Sequence, residues 1–337
     1  MAFREDFVWG AASSAYQTEG FPSADGGGES IWDAFCRRPG AIANGDNGSI
    51  ACDGYHRFEE DIRLLSSLGL RAYRFSTSWA RIDPEGSSAW NEAGLAYYDR
   101  VVDCCLQNGV TPWMTLYHWE LPQALEESGG WLRRETAEAF ARFAGMMAQH
   151  FKGRVSHFIT LNEPQCFIGL GYGTGAHAPG LMLPAAATIP MSHHVLKAHG
   201  LAVRALRSLV PDCRVGYAPC GDAAIPFTSA PADVEAARKA YFDVPTGDFW
   251  AFNVAWWSDP VMLGHYPESG RHFFGALPQG WENDLALISQ PLDFYAQNIY
   301  NGRFFRAADN AKEVGGQAVW KTMRHFNSLA HRTTWLR

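Results

Sequence analysis

Apolar and polar positions change period along this chain. Short runs rich in β-branched and aromatic residues alternate with stretches whose apolar residues recur at helical spacing. Phe7 to Ala11 predicts a first strand, and Tyr55 to Leu68 an amphipathic helix stopped by Gly69. Arg71 to Ser76 predicts a second strand. Asn91 to Asn108 predicts a helix with Asn91 as its cap and Gly109 as its stop. Thr111 to Tyr117 reads as a third strand, Arg133 to Phe151 as a long amphipathic helix, and Val155 to Leu161 as a fourth strand. Pro190 to Val210 is a helix, Cys213 to Ala218 a fifth strand, and residues 231 to 258 form helical segments. Leu292 to Tyr300 predicts a sixth strand, and Pro219 to Ala230 a loop of small residues.

Strands alternating with helices predict a parallel sheet with crossover helices. Several strands end in polar or aromatic groups: Gln17 and Glu19, Ser76 to Trp79, His118 and Trp119, Asn162 and Glu163, Asn298 and Tyr300. A (β/α)8 barrel collects such groups at the C-terminal ends of its strands, whereas a doubly wound sheet concentrates them at one switch point. The expectation is an α/β fold, a TIM (β/α)8-type barrel that is incomplete, with about six of eight units. It occupies residues 1–302, and an atypical basic tail follows over 303–337.

Composition narrows the function. The 337 residues carry a formal net charge of −7, with 47% apolar and 19% charged positions, the profile of a large folded core. No basic stripe points to nucleic acid, and no apolar run of about 18 residues points to a membrane span. The N-terminus MAFREDFVWG lacks the apolar core of a signal peptide. The seven cysteines are odd in number and contain no C-x-x-C pair. That argues against a disulfide framework and against zinc, and for a reduced, cytoplasmic protein. No cofactor and no metal is expected. Gly26-Gly27-Gly28 is followed by no Lys-Ser/Thr and reads as a turn, not a phosphate loop.

Three segments carry candidate chemistry. In Thr160-Leu161-Asn162-Glu163-Pro164 a Glu follows a strand with Asn beside it. Such a Glu can protonate a leaving oxygen, although a loop salt bridge is the plainer reading. In Tyr117-His118-Trp119 an imidazole can bond a hydroxyl while an indole covers an apolar sugar face. A satisfied core histidine is the commoner fate of a lone His. Gln17 offers a donor and an acceptor, which suits vicinal hydroxyls, but also suits an ordinary polar strand end.

Seven segments taken together resemble glycoside hydrolase family 1, the retaining β-glucosidases and their relatives. They are FVWGAASSAYQTEG (7–20), SIWDAF (30–35), YRFSTSWARI (73–82), TLYHWELP (115–122), TLNEP (160–164), GYGTGAHAPG (171–180) and DFYAQNIYNG (293–302). They stand in the family's order. The resemblance implies a β-glycosidase acting on β-linked glucosides, galactosides or oligosaccharides. It implies Glu163 as general acid/base, with Gln17, His118, Trp119 and Asn162 lining the first sugar subsite. Arg74 and Tyr300 would orient the nucleophilic carboxylate, and Asn298 would stand beside it. Glu120 and Gln165 replace residues that are often Asp and Trp in the family.

The same resemblance leads one to look for a Thr-Glu-Asn-Gly segment, whose Glu is the nucleophile, and the 337 residues contain none. Positions 303–337 hold seven basic groups against Asp309 and Glu313. Retention needs two carboxyl groups roughly 5–5.5 Å apart, and inversion about 6.5–9.5 Å. Glu313 and Asp293 are weak candidates for a second group. The chain therefore also reads as a truncated, inactive glycosidase remnant that binds sugar weakly. Open barrel edges would then favour self-association or completion by another chain.

Overall fold

The computed structural model describes residues 3–247, 250–307 and the backbone of 317–319. Six parallel strands form one sheet in the order β1-β2-β3-β4-β5-β7. They are β1 (Gly10–Ala12), β2 (Ala72–Ser76), β3 (Thr111–Tyr117), β4 (His157–Asn162), β5 (Arg214–Ala218) and β7 (Phe294–Tyr295). Between them in the chain comes β6 (Cys220–Pro226), which pairs in parallel with β8 (Asn298–Ala307) in a second, smaller sheet. β9 (Gln317–Val319) pairs antiparallel with β8.

The crossover helices follow the predicted pattern. Gly54–Ser67 and Glu92–Gln107 each end on a left-handed glycine, Gly69 and Gly109. In each case the next amide reaches back into the last turn, Leu70 to the Leu65 carbonyl at 3.1 Å and Val110 to Cys105 at 2.9 Å. This closes the helix and aims the chain straight into β2 or β3. Asn91 precedes its helix but does not cap it with its side chain, which instead donates to the carbonyls of Asp25 and Arg81. Helices Arg134–His150 and Ala185–Leu209 pack together over the sheet. The second starts before Pro190, which sits inside it and gives up one ladder bond near the start. Trp250, Trp256 and Trp257 are buried packing residues, as their sequence context indicates.

Three expectations need correction, the first two together. The predicted loop at 219–230 contains β6, and the predicted single strand at 292–300 is split between two sheets. Pro219 is the physical reason. It interrupts the run from β5 into β6 because it has no N–H to give to a ladder. Opposite it the chain still follows the same line, with Ala296 N–H on the Tyr217 carbonyl at 3.0 Å and Asn298 N–H on the Pro219 carbonyl at 3.1 Å. Each pair is thus one long ribbon broken once. The first strand is also shorter than predicted, since Phe7, Val8 and Trp9 stay exposed. Finally, β8 runs across positions 302 and 303, and the remainder of the predicted tail, apart from 317–319, lies outside the described residues.

Candidate active site

All six strands of the main sheet run the same way, so their C-terminal ends share one rim. There β2 contributes Arg74, the end of β3 contributes His118 and Trp119, and the end of β4 contributes Asn162 and Glu163. Asn298 and Tyr300 enter from β8.

Asn162 is the hub. Its Oδ1 accepts from an Arg74 Nη and from Asn298 Nδ2 at 2.9 Å, while its Nδ2 stands 3.1 Å from His118 Nε2. Its carbonyl accepts from Trp119 Nε1 at 2.8 Å. Glu163 is buried, and its backbone holds φ at 46°, a left-handed conformation uncommon outside glycine. Its N–H donates to the Ala218 carbonyl at 2.7 Å, which ties it to the end of β5. Asn298 Nδ2 donates to Glu163 Oε1, and the Tyr300 hydroxyl lies 3.5 Å from the same oxygen. Glu163 Oε2 accepts from the Cys166 thiol at 3.1 Å.

Arg74 has polar partners but no counter-ion among the described residues. Its Nε donates to Thr115 Oγ1 at 2.9 Å and one Nη to Asn298 Oδ1 at 3.3 Å. No carboxylate among the described residues forms an ion pair with it. Burial lowers its pKa, and the charges of Glu163 and Tyr300 pull the other way. A guanidinium stays protonated regardless. Desolvation of the Tyr300 hydroxyl, and then the Glu163 carboxylate, push that phenol up to about 12, although the ring itself is largely exposed. Burial first, and the Arg74 charge second, hold His118 well below the usual imidazole range, so it is neutral. With Asn162 Nδ2 donating to Nε2, the proton of His118 belongs on Nδ1, which has no partner among the described residues.

Gln17 lies on the short helix Ala15–Thr18, a correction to its predicted place at a strand end. That helix is pinned to the rim by Ala15 N–H on Ser76 Oγ at 2.7 Å and by Tyr16 N–H on Glu120 Oε1 at 2.6 Å. The Gln17 amide makes no hydrogen bond among the described residues, so both of its functions remain unspent. The rings of Trp32, His177 and Trp119 meet in a row, tilted to one another, with centroids 5.4 and 5.6 Å apart. Burial drops His177 to about 4.

Asp293 does not belong here. It bonds Arg207 at 2.9 Å and the Val215 N–H at 2.8 Å, at the opposite end of the strands. Glu313 lies outside the described residues. Sequence reasoning missed Thr115, Cys166 and Cys220, and saw Gln165 only as a replacement beside the site. Thr115 had a signal, a hydroxyl inside an otherwise apolar strand. Cys220 reaches Gln165 and Cys166 only through the fold.

The model for "Glycosyl hydrolase family 1" matches residues 1–336, and the chain belongs to that family. It is 40% identical to β-glucosidase A of Acetivibrio thermocellus, over 94% of this chain and 68% of that protein. It is 42% identical to a β-glucosidase of an Agrobacterium strain, over 92% and 65%. The fold is similar to that of the Thermotoga maritima β-glucosidase in complex with glucoimidazole, with a TM-score of 0.84 and 37% identity, covering 95% of this chain and 70% of that one. The same holds for its complex with deoxynojirimycin. The chain therefore spans about two-thirds of the length of these relatives, and its six parallel strands are the matching part of a (β/α)8 barrel.

Proposed function

We propose that these residues form the acid/base and sugar-recognition part of a retaining β-glucosidase site. One observation carries the reading. Glu163 is held by Asn298 on the rim, beside an Arg74 whose partners are amides and a hydroxyl rather than a carboxylate. Glu163 delivers a proton to the glycosidic oxygen as the C–O bond breaks. The His118 Nδ1–H, the spare N–H of Asn162 and the unspent Gln17 amide take sugar hydroxyls, and Trp119 supplies an apolar wall. Tyr300 and Arg74 flank the place of the attacking carboxylate. The relatives are β-glucosidases, and their inhibitors in the solved complexes are sugar-like.

The test separates acid catalysis from attack by varying the leaving group. Formate is supplied as an external carboxylate to the 337-residue chain. Glu163→Gln should slow phenyl β-glucoside by about 100-fold or more and 2,4-dinitrophenyl β-glucoside only slightly, since a good leaving group needs no proton. Equal losses on both substrates would remove Glu163 from the acid role.

A second reading, a sugar-binding chain without turnover of its own, is favoured by the same Arg74, whose side-chain partners among the described residues are all neutral. No helix among the described residues is long and apolar enough to cross a membrane. All seven cysteines are free, which supports a reducing, cytoplasmic setting. The reading includes self-association. Among the described residues β1 and β7 are outer strands, and Phe3, Phe7 and Trp9 form an exposed aromatic cluster next to β1. Light scattering should find a species larger than one chain, and a stable monomer at micromolar concentration would argue against it.

A further inference from the structure

Beside the acid/base residue lies a group of ligands that the glycosidase reading does not use. Cys166 comes three residues after Glu163, at the start of the helix Gln165–Gly173, and its N–H donates to the Glu163 carbonyl at 2.9 Å; Cys220 opens β6. Their sulfurs are 3.9 Å apart. Glu163 Oε2 is 3.1 Å from Cys166 Sγ, while Oε1 is committed to Asn298 and Tyr300. Among the described residues this is the one set of three or more His, Cys, Asp or Glu side chains whose ligand atoms converge, all within 4.8 Å of one another.

The spacing fits coordination. Tetrahedral Zn–S bonds of about 2.3 Å place two sulfurs about 3.8 Å apart, whereas a disulfide needs about 2.05 Å. The 3.9 Å observed matches the first. The frame is also fixed in advance. Gln165 Nε2 donates to the Cys220 carbonyl at 2.9 Å, and Cys220 N–H donates to Gln165 Oε1 at 3.3 Å. This two-point clip holds the two thiols side by side, joining the helix Gln165–Gly173 to the start of β6. Asn298 on Oε1 is the kind of outer hydrogen bond that orients a ligating carboxylate.

We infer that Cys166, Cys220 and Glu163 Oε2 form a three-ligand site for a thiophilic divalent cation such as Zn²⁺ or Cd²⁺, with a fourth position left for water. Two thiolates and one carboxylate select soft or borderline ions over Mg²⁺ and Ca²⁺. As the two metal–sulfur bonds form, both thiol protons leave to solvent, and no electron transfer is involved. The charge of Arg74, felt by Glu163, offsets the net negative charge of the filled site. An occupied site would take Oε2 out of proton transfer. That consequence rests on the proposed function, but the site itself does not.

The test therefore reads binding, not turnover. Co²⁺ is titrated into the full reduced chain in the presence of a phosphine reductant. The expected result is one equivalent bound, with a sulfur-to-cobalt charge-transfer band and tetrahedral d–d absorption, both abolished by one equivalent of Zn²⁺. Cys220→Ala and Cys166→Ala should each weaken binding at least tenfold, whereas Cys52→Ala, which removes an exposed thiol elsewhere, should leave it unchanged. The spectrum of the unaltered chain answers even if a variant fails to fold. No charge-transfer band in that chain, or an unchanged affinity in Cys220→Ala, overturns the inference. If the glycosidase reading fails while cobalt still binds, the site stands alone.

Discussion

Arg74 and Arg81 belong to one strand and the turn that follows it, yet they sit in opposite kinds of surroundings. Arg81 is fully buried and has a carboxylate partner. Its Nη lies 3.3 Å from Glu19 Oε2, and Tyr98 donates to the other Glu19 oxygen at 2.8 Å. Burial would lower the Arg81 pKa, but Glu19 outweighs it and the net direction is up. Arg74 is half-buried and its net direction is down, because burial outweighs the charges of Glu163 and Tyr300; its side-chain partners are Thr115, Asn162 and Asn298. The first is a closed ion pair that builds the fold. The second is a cation bonded to neutral groups, with N–H groups to spare and no ion-pair partner among the described residues, which is an arrangement ready to receive an anion.

The largest expected effect tests the closed pair. Arg81→Met leaves Glu19 buried and unpaired, and should destabilise the chain by about 3–5 kcal/mol in urea unfolding. Arg74→Met strands only neutral acceptors and should cost about 1–2 kcal/mol. Equal losses would erase the distinction between the two arginines.

A smaller effect concerns Glu120, the carboxyl that pins the Gln17 helix. Burial first of all raises its pKa well above the usual carboxylate range, and its Oε2 has no partner among the described residues. The folded state therefore keeps a proton that the unfolded chain releases near pH 4.3. The stability this contributes is fully present below about pH 4.3 and is lost as pH rises through the folded value, with a slope of at most about 1.4 kcal/mol per unit. Glu120→Gln keeps the acceptor for Tyr16 N–H and should flatten that slope. A slope unchanged by the substitution would show that another group titrates.

The sequence makes much of this legible where the pattern is local. Strand β3 occupies the predicted residues, and two helices end at their glycines, because an apolar period and a left-handed stop are properties of neighbouring positions. The site residues Arg74, His118, Asn162, Glu163 and Asn298 do converge, although far apart in the chain. The small-residue run Cys-Gly-Asp-Ala-Ala-Ile-Pro hides β6, whose strand character comes from pairing with β8 rather than from propensity. Cys166 and Cys220 show no metal-like spacing in sequence; the pairing of β4 with β5 and the Gln165 clip to Cys220 bring them together.

The most direct measurement is a formate titration of 4-nitrophenyl β-glucoside hydrolysis by the 337-residue chain and by Arg74→Met. If no carboxylate of the 337-residue chain reaches Arg74, turnover starts near the uncatalysed rate. It then rises with formate to saturation, as formate bonds the anomeric carbon and the aryl oxide departs. The rise should fall at least tenfold in Arg74→Met. Full turnover without formate would show that a carboxylate of this chain already reaches Arg74, and the contrast between the two arginines would be wrong.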